Sequence, residues 1–287
     1  MLHAYLPSIA LKIQSVLIRK KYLAAGLLAW ALGPAARAQA PAGLPVVATP
    51  NELPGKAGGV RYYDQHWLPL PGPAGAYGYD VYRHLDSLGL TWQRRRYVLA
   101  SGQQVLKQYF ASAVPLVGLE GQSLEWYETG QLREEVTYHK HQLAGTLRTF
   151  YRNGRVRRTQ ANDFGVIACY DSTGRPLLDC AEYYVPAQAR GKNVAVAKLP
   201  DLVQQRYAAL LPAGYAAPAA QIVYYAFRID AAGAVRDARL LSAAAPPLAK
   251  AILQAIAQLP SFEPARLEDQ PVDKVVEGKV EVKAGRR

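Results

Sequence analysis

The stretch Ile222-Val-Tyr-Tyr-Ala-Phe-Arg-Ile-Asp230, followed by Gly233 and then Val235 to Leu241, decides how the end of the chain is read. Its β-branched and aromatic residues suit a pleated, half-buried surface. Gly233 tolerates the positive φ of a tight reversal, so the two runs form a hairpin. Pro246-Pro247 and Pro260 bracket a helix, because proline fits a first helical turn and cannot extend one. Leu248, Ile252, Ala255, Ile256 and Leu259 share one face of that helix. Val276, Val280 and Val282 then alternate with Glu277, Lys279, Glu281 and Lys283, a strand with one dry and one wet face. Upstream, Leu202, Val203, Tyr207, Leu210 and Leu211 predict a helix between Lys192 and Leu211, ended by Pro212 and Gly214.

Working back, the middle of the chain repeats itself. Ser123-Leu-Glu-Trp-Tyr-Glu-Thr-Gly-Gln-Leu-Arg133 is echoed by Leu147-Arg-Thr-Phe-Tyr-Arg-Asn-Gly-Arg-Val-Arg157. Tyr127 and Tyr151, Gly130 and Gly154, and Gly121 and Gly145 are each 24 residues apart. A shorter copy spans Gly165 to Gly174, and a degenerate one Arg95 to Gly102 with Val105 to Tyr109. Each unit reads as an aromatic strand, a Thr-Gly or Asn-Gly turn and a returning strand. One hairpin cannot bury its own face, so the units are expected to stack into a continuous sheet.

The 287 residues carry a formal net charge of +12. Residues 1–40 hold five bases and no acid; without them 29 bases stand against 22 acids, a balance that favours acidic surfaces and names no partner. Arg19-Lys20-Lys21, the apolar run Tyr22 to Leu32 and the small residues around Ala38 and Ala40 read as an export signal over 1–40. The alternative is an uncleaved inner-membrane anchor through residues 17–33. Residues 41–90 form a lead-in rich in Pro, Gly and Ala, then in aromatics and turn signals, with no firm element assignment. Export would place the fold in an oxidising compartment. Cys169 and Cys180 flank a turn at Asp171-Ser-Thr-Gly174 and stand either as a disulfide across a hairpin or as two buried thiols.

Searching for chemistry yields little. No phosphate-cradling glycine loop, Gly-Xaa-Ser-Xaa-Gly elbow or His-Glu-Xaa-Xaa-His occurs, so no catalytic, cofactor or metal residue is assigned. His139-Lys-His141 would share a strand face, yet no further ligand completes a metal site. Arg94-Arg95-Arg96 and the group Arg148, Arg152, Arg155, Arg157 and Arg158 supply a basic surface, which reads first as solvated edge protection. Trp126, Tyr127, Phe150 and Tyr151 read as core.

Two resemblances organise these readings. The Phe227-Arg-Ile-Asp230 plus Gly233-Ala-Val235 hairpin, the helix end Ala251 to Pro260, Phe262-Glu-Pro-Ala265 and Val272 to Val282 resemble the TonB C-terminal domain family, over residues 200–283. The Trp126 to Arg133 and Phe150 to Arg157 units resemble the MORN-variant repeat of YwqK antitoxin-like proteins, over residues 94–180. Together they imply an α+β chain. Residues 91–185 would be an all-β hairpin array, and 200–287 a small β-β-α-β domain with an antiparallel sheet and one packed helix. By the TonB resemblance the protein is expected to act as an energy transducer or periplasmic interaction module linked to transmembrane transport. It would bind an envelope partner, such as a TonB-dependent outer-membrane receptor, by strand addition. The expected partner-binding edge carries Val272, Val275, Val276, Val280 and Val282. Such edges can also pair two copies into a homodimer. The alternative is an envelope structural or recognition protein whose repeats are the working surface. No enzyme activity and no nucleic-acid partner are expected.

Overall fold

Tyr127, Tyr151, Asp171 and Asp230 each open the same turn. In every case the backbone N–H of that residue donates to the carbonyl four positions on, and a glycine three positions on donates back to its carbonyl. The glycines are Gly130, Gly154, Gly174 and Gly233, with φ between +80° and +91°. This is the three-residue hairpin loop that ends in a left-handed residue, a conformation glycine adopts without strain. Short local sequence therefore fixes four reversals, and the strands on either side of each must pair.

In a computed structural model, residues 46, 58–87, 90–111, 118–161, 167–190 and 196–284 are described. The expected export segment 1–40 lies outside them, as does residues 17–33 read as an anchor. Among the described residues, no helix is long and apolar enough to cross a membrane.

Eleven antiparallel strands make the first sheet: β1 (Gly59–Tyr63), β2 (Pro69–Leu70), β3 (Gly78–Ser87), β4 (Leu90–Val98), β5 (Gln104–Phe110), β6 (Gly121–Trp126), β7 (Leu132–His139), β8 (Gln142–Leu143), β9 (Leu147–Phe150), β10 (Val156–Gln160) and β11 (Ile167–Cys169). It is a meander, because each hairpin hands directly to the next. Only β1 lies out of sequence, between β2 and β3, and β8 hangs off β7.

After β12 (Tyr184–Val185) and β13 (Gln188–Ala189) come α1 (Leu199–Ala209), β14 (Gln221–Ile229), β15 (Val235–Leu240), α2 (Pro246–Ala257), β16 (Phe262–Glu263), β17 (Ala265–Leu267), β18 (Gln270–Val272) and β19 (Lys274–Val282). The second sheet has the order β15-β14-β19. Its face carrying Val223, Tyr225, Phe227, Val276 and Val280 packs on Leu199, Val203, Leu248, Ile252 and Ile256 of the two helices, the largest apolar core described. Its other face, with Ala226, packs on Leu68 from the loop after β1.

Cross-strand register puts Arg61, Asp80, Arg96, Leu106, Glu125, Glu134, Thr149, Arg158 and Cys169 in one row across the first sheet. Directly opposed residues share a face. That face is thus polar along most of its length, and C-terminal polar groups cover it. Glu277 takes two bonds from Arg61, at 2.6 and 3.2 Å. Glu268 accepts from Thr149 at 3.0 Å and pairs with Arg157 at 2.8 Å. Tyr183 donates to Glu134, and Arg239 donates to Asp64 at 2.6 Å.

The expected α+β class is corrected by these observations. Among the described residues 47% are strand and 12% helical, and one eleven-stranded sheet dominates. The helix expected between Lys192 and Leu211 is α1; it packs on the C-terminal sheet beside α2, where the β-β-α-β reading had one helix, and three short strands intervene between α2 and β19. The lead-in reading of 41–90 gives way to strands from Gly59 onward. Tyr62, Tyr79 and Tyr97 oppose one another in register, but a Pro- and Gly-rich loop between β2 and β3 broke the alternation in the sequence. Tyr184 and Val185, at the end of the expected repeat array, pair with β17, and Gln188 and Ala189 pair with β16.

Among the described residues, the terminal strands of these two sheets other than β19 are blunted. Pro69 sits in β2, and Pro176 bridges to Tyr170 just past β11. β15 is bulged where Asp237 takes φ +56°. Proline and bulges both discourage further pairing. β19 is nine residues long, regular in register with β14, and free of proline.

Candidate functional site

In an antiparallel ladder, backbone N–H and C=O groups point alternately toward the partner strand and away from it. Glu281 settles the phase for β19. Its N–H donates to the Gln204 side-chain oxygen at 2.8 Å, and its carbonyl accepts from Gln204 Nε2 and the Tyr207 hydroxyl, each at 3.1 Å. Those groups face α1, so odd-numbered residues of β19 turn their backbone away from β14. Val275, Glu277 and Lys279 follow the same phase, and the hydrogen bonds among the described residues leave their outward backbone groups unpaired.

Beside this edge lies a cleft of about 800 Å³. One wall is β19 from Lys274 to Lys279. The floor is the polar face of the first sheet, with Tyr82, Arg94, Arg96 and Phe110. A volume of this size lies within the range of ligand sites.

The floor is built around Asp80, whose side chain is fully buried. It accepts from Arg94 Nε at 2.7 Å, from Arg96 Nε at 2.7 Å and Nη2 at 3.0 Å, and from the Tyr63 hydroxyl at 2.7 Å. Burial alone would raise its pKa, but Arg94 and Arg96 more than offset this and hold the carboxyl well below the usual carboxylate range. The Arg96 guanidinium also lies 4.5 Å from the ring centres of Tyr63 and Trp67.

Of the residues expected to form the edge, Val275 alone lies with its backbone turned outward on β19. Val276, Val280 and Val282 are buried in the helix-facing core and contribute packing, not a contact surface. Val272 ends β18, paired with Ala265, and is not part of the last strand. Glu277 and Lys279, the outward members, were read only as the wet face. No local signal places Arg61, Arg94 and Arg96 beside β19, since the contact between Arg61 and Glu277 spans 216 residues. Arg157 and Arg158 of the second basic group do not protect an edge; they are held against Glu268.

Compared with known proteins, the chain matches no family model, no curated protein and no solved structure. Geometry is therefore what speaks for function.

Cys169 and Cys180 form a disulfide with their Cα atoms 5.6 Å apart. It ties the end of β11 to the segment leading to β12. Among the described residues no group of three or more His, Cys, Asp or Glu could hold a metal ion. His139 instead pairs with Glu120 at 2.8 Å.

Proposed function

We propose that this protein is an exported envelope interaction module that captures an extended segment of a partner protein by strand addition to β19. The observation that carries the reading is the regular, unblunted edge Val275–Lys279 facing an open cleft, while among the described residues the other terminal strands of the two sheets are short and end in proline, or are bulged. Backbone pairing would supply affinity, and the side chains of the cleft would supply selection. The Cys169–Cys180 disulfide favours an oxidising compartment such as the periplasm, where an outer-membrane protein is a natural partner. Energy transduction rests on the TonB resemblance alone and is not needed for this role.

Lys279→Pro tests it. The substitution deletes one outward N–H and leaves the bonds between β14 and β19 in place. A partner recovered from envelope extracts should bind the wild-type chain, slow hydrogen exchange at Glu277 and Lys279, and lose both effects with Lys279→Pro. Equal retention by the two chains would reject strand addition.

A further inference from the structure

The charges of the cleft say what kind of segment it takes, an inference that rests on the strand-addition reading above. Arg94 and Arg96 share one carboxylate, that of Asp80, so the floor carries one positive charge beyond its acid. Arg96 commits its Nε and Nη2 to Asp80 and lies over the Tyr63 and Trp67 rings. Arg94 commits only its Nε, and among the described residues its outer nitrogens meet no acceptor. The nearby acids are already used: Glu277 holds Arg61, and Asp273 holds Arg228 at 2.7 Å. Lys274 lines the wall as well, and Lys279 beside it is paired with Glu281 at 2.6 Å.

A strand laid against β19 would continue that sheet's alternation. Every second side chain would point to the side of Val275, Glu277 and Lys279, which is the side of Arg94. We infer that the occupant is an extended segment of a partner protein with Asp or Glu at alternate positions, one carboxylate resting on the Arg94 guanidinium. An apolar segment would strip water from Arg94 without supplying an acceptor, and a basic one would be repelled.

Three synthetic peptides of equal length, alternating Thr with Glu, Gln or Lys, test this on the full chain by fluorescence anisotropy and hydrogen exchange. The Glu peptide should bind at least about tenfold tighter than the Gln peptide, weaken with added salt, and protect the Glu277 and Lys279 amides. Arg94→Met should remove the preference; Asp80 keeps Arg96, Tyr63 and Tyr82, so its site survives. Lys279→Glu, an exposed change, should weaken the Glu peptide independently. Equal binding of all three peptides with protection at Glu277 and Lys279 would overturn the acidic preference and leave strand addition standing. Protection by none would overturn both. Protection without peptide, with a concentration-dependent dimer in sedimentation, would assign the edge to a second copy and overturn the inference.

Discussion

Gln204 holds both backbone groups of Glu281, accepting its N–H at 2.8 Å and donating to its carbonyl at 3.1 Å. One side-chain amide thereby stands in for a neighbouring strand and closes the far end of the β19 edge. Gln204→Ala should speed exchange of the Glu281 amide and cost about 1 kcal/mol in chemical denaturation, the scale of one or two net hydrogen bonds. Unchanged exchange at Glu281 would count against the capping role.

Asp80 is the linchpin of the cleft floor, and Asp80→Asn leaves Arg94 and Arg96 without their shared counter-charge. Removing one partner of a buried ion cluster costs roughly 3–5 kcal/mol. The loss should appear as a lower urea midpoint with an unchanged slope. Arg94→Met should cost clearly less, because Asp80 retains its other donors.

Glu134 titrates in the opposite sense. Burial, then the facing Glu125, push its pKa up to about 7, from 4.5; Tyr183 and Arg133 pull the other way, and Glu268 adds to the rise. Because the folded value is the higher one, the stability it contributes is full below pH 4.5 and is lost as pH rises through about 7. Glu134→Gln should flatten stability across that window in thermal melts. A wild-type curve that rises with pH there, relative to Glu134→Gln, would refute the assignment.

Gly233→Ala should be severe. A Cβ at that position would stand 1.9 Å from the Phe262 carbonyl oxygen, and the φ of +85° adds its own strain. Gly130→Ala has a similar φ but meets only the flexible Gln103 side chain, at 3.3 Å. The first should lower the melting temperature markedly more than the second.

Reducing the Cys169–Cys180 bond, or replacing both cysteines with serine, should cost about 3 kcal/mol by the loop-closure argument for a separation of 11 residues. The loss should be confined to oxidising conditions; equal stability of the variant and the oxidised protein would contradict it.

What was legible in the sequence was local. The repeated Gly turns marked the hairpins at Gly130, Gly154, Gly174 and Gly233, and the prolines at 246, 247 and 260 bracketed α2. The strands Gly59–Tyr63 and Gly78–Ser87 were not, because their aromatics are interrupted by a loop rich in turn formers. The α+β expectation failed for a related reason. Each hairpin was visible, but not that the hairpins would join into one eleven-stranded sheet and outweigh the helices. The site was half legible. The last strand could be read from its alternating valines, yet those valines point into the core, and the exposed edge belongs to the charged residues between them. The polar face with Arg61, Asp80, Arg94 and Arg96 gave no apolar periodicity to follow. Only tertiary register brings it to Glu277.

Because β2, β11 and β15 are each stopped by a proline or a bulge, β19 is, among the described residues, the terminal strand of these two sheets left regular along its outer side. If β19 captures a partner strand as proposed, one-to-one stoichiometry follows, and a second protomer taking that berth would end assembly there instead of seeding a filament.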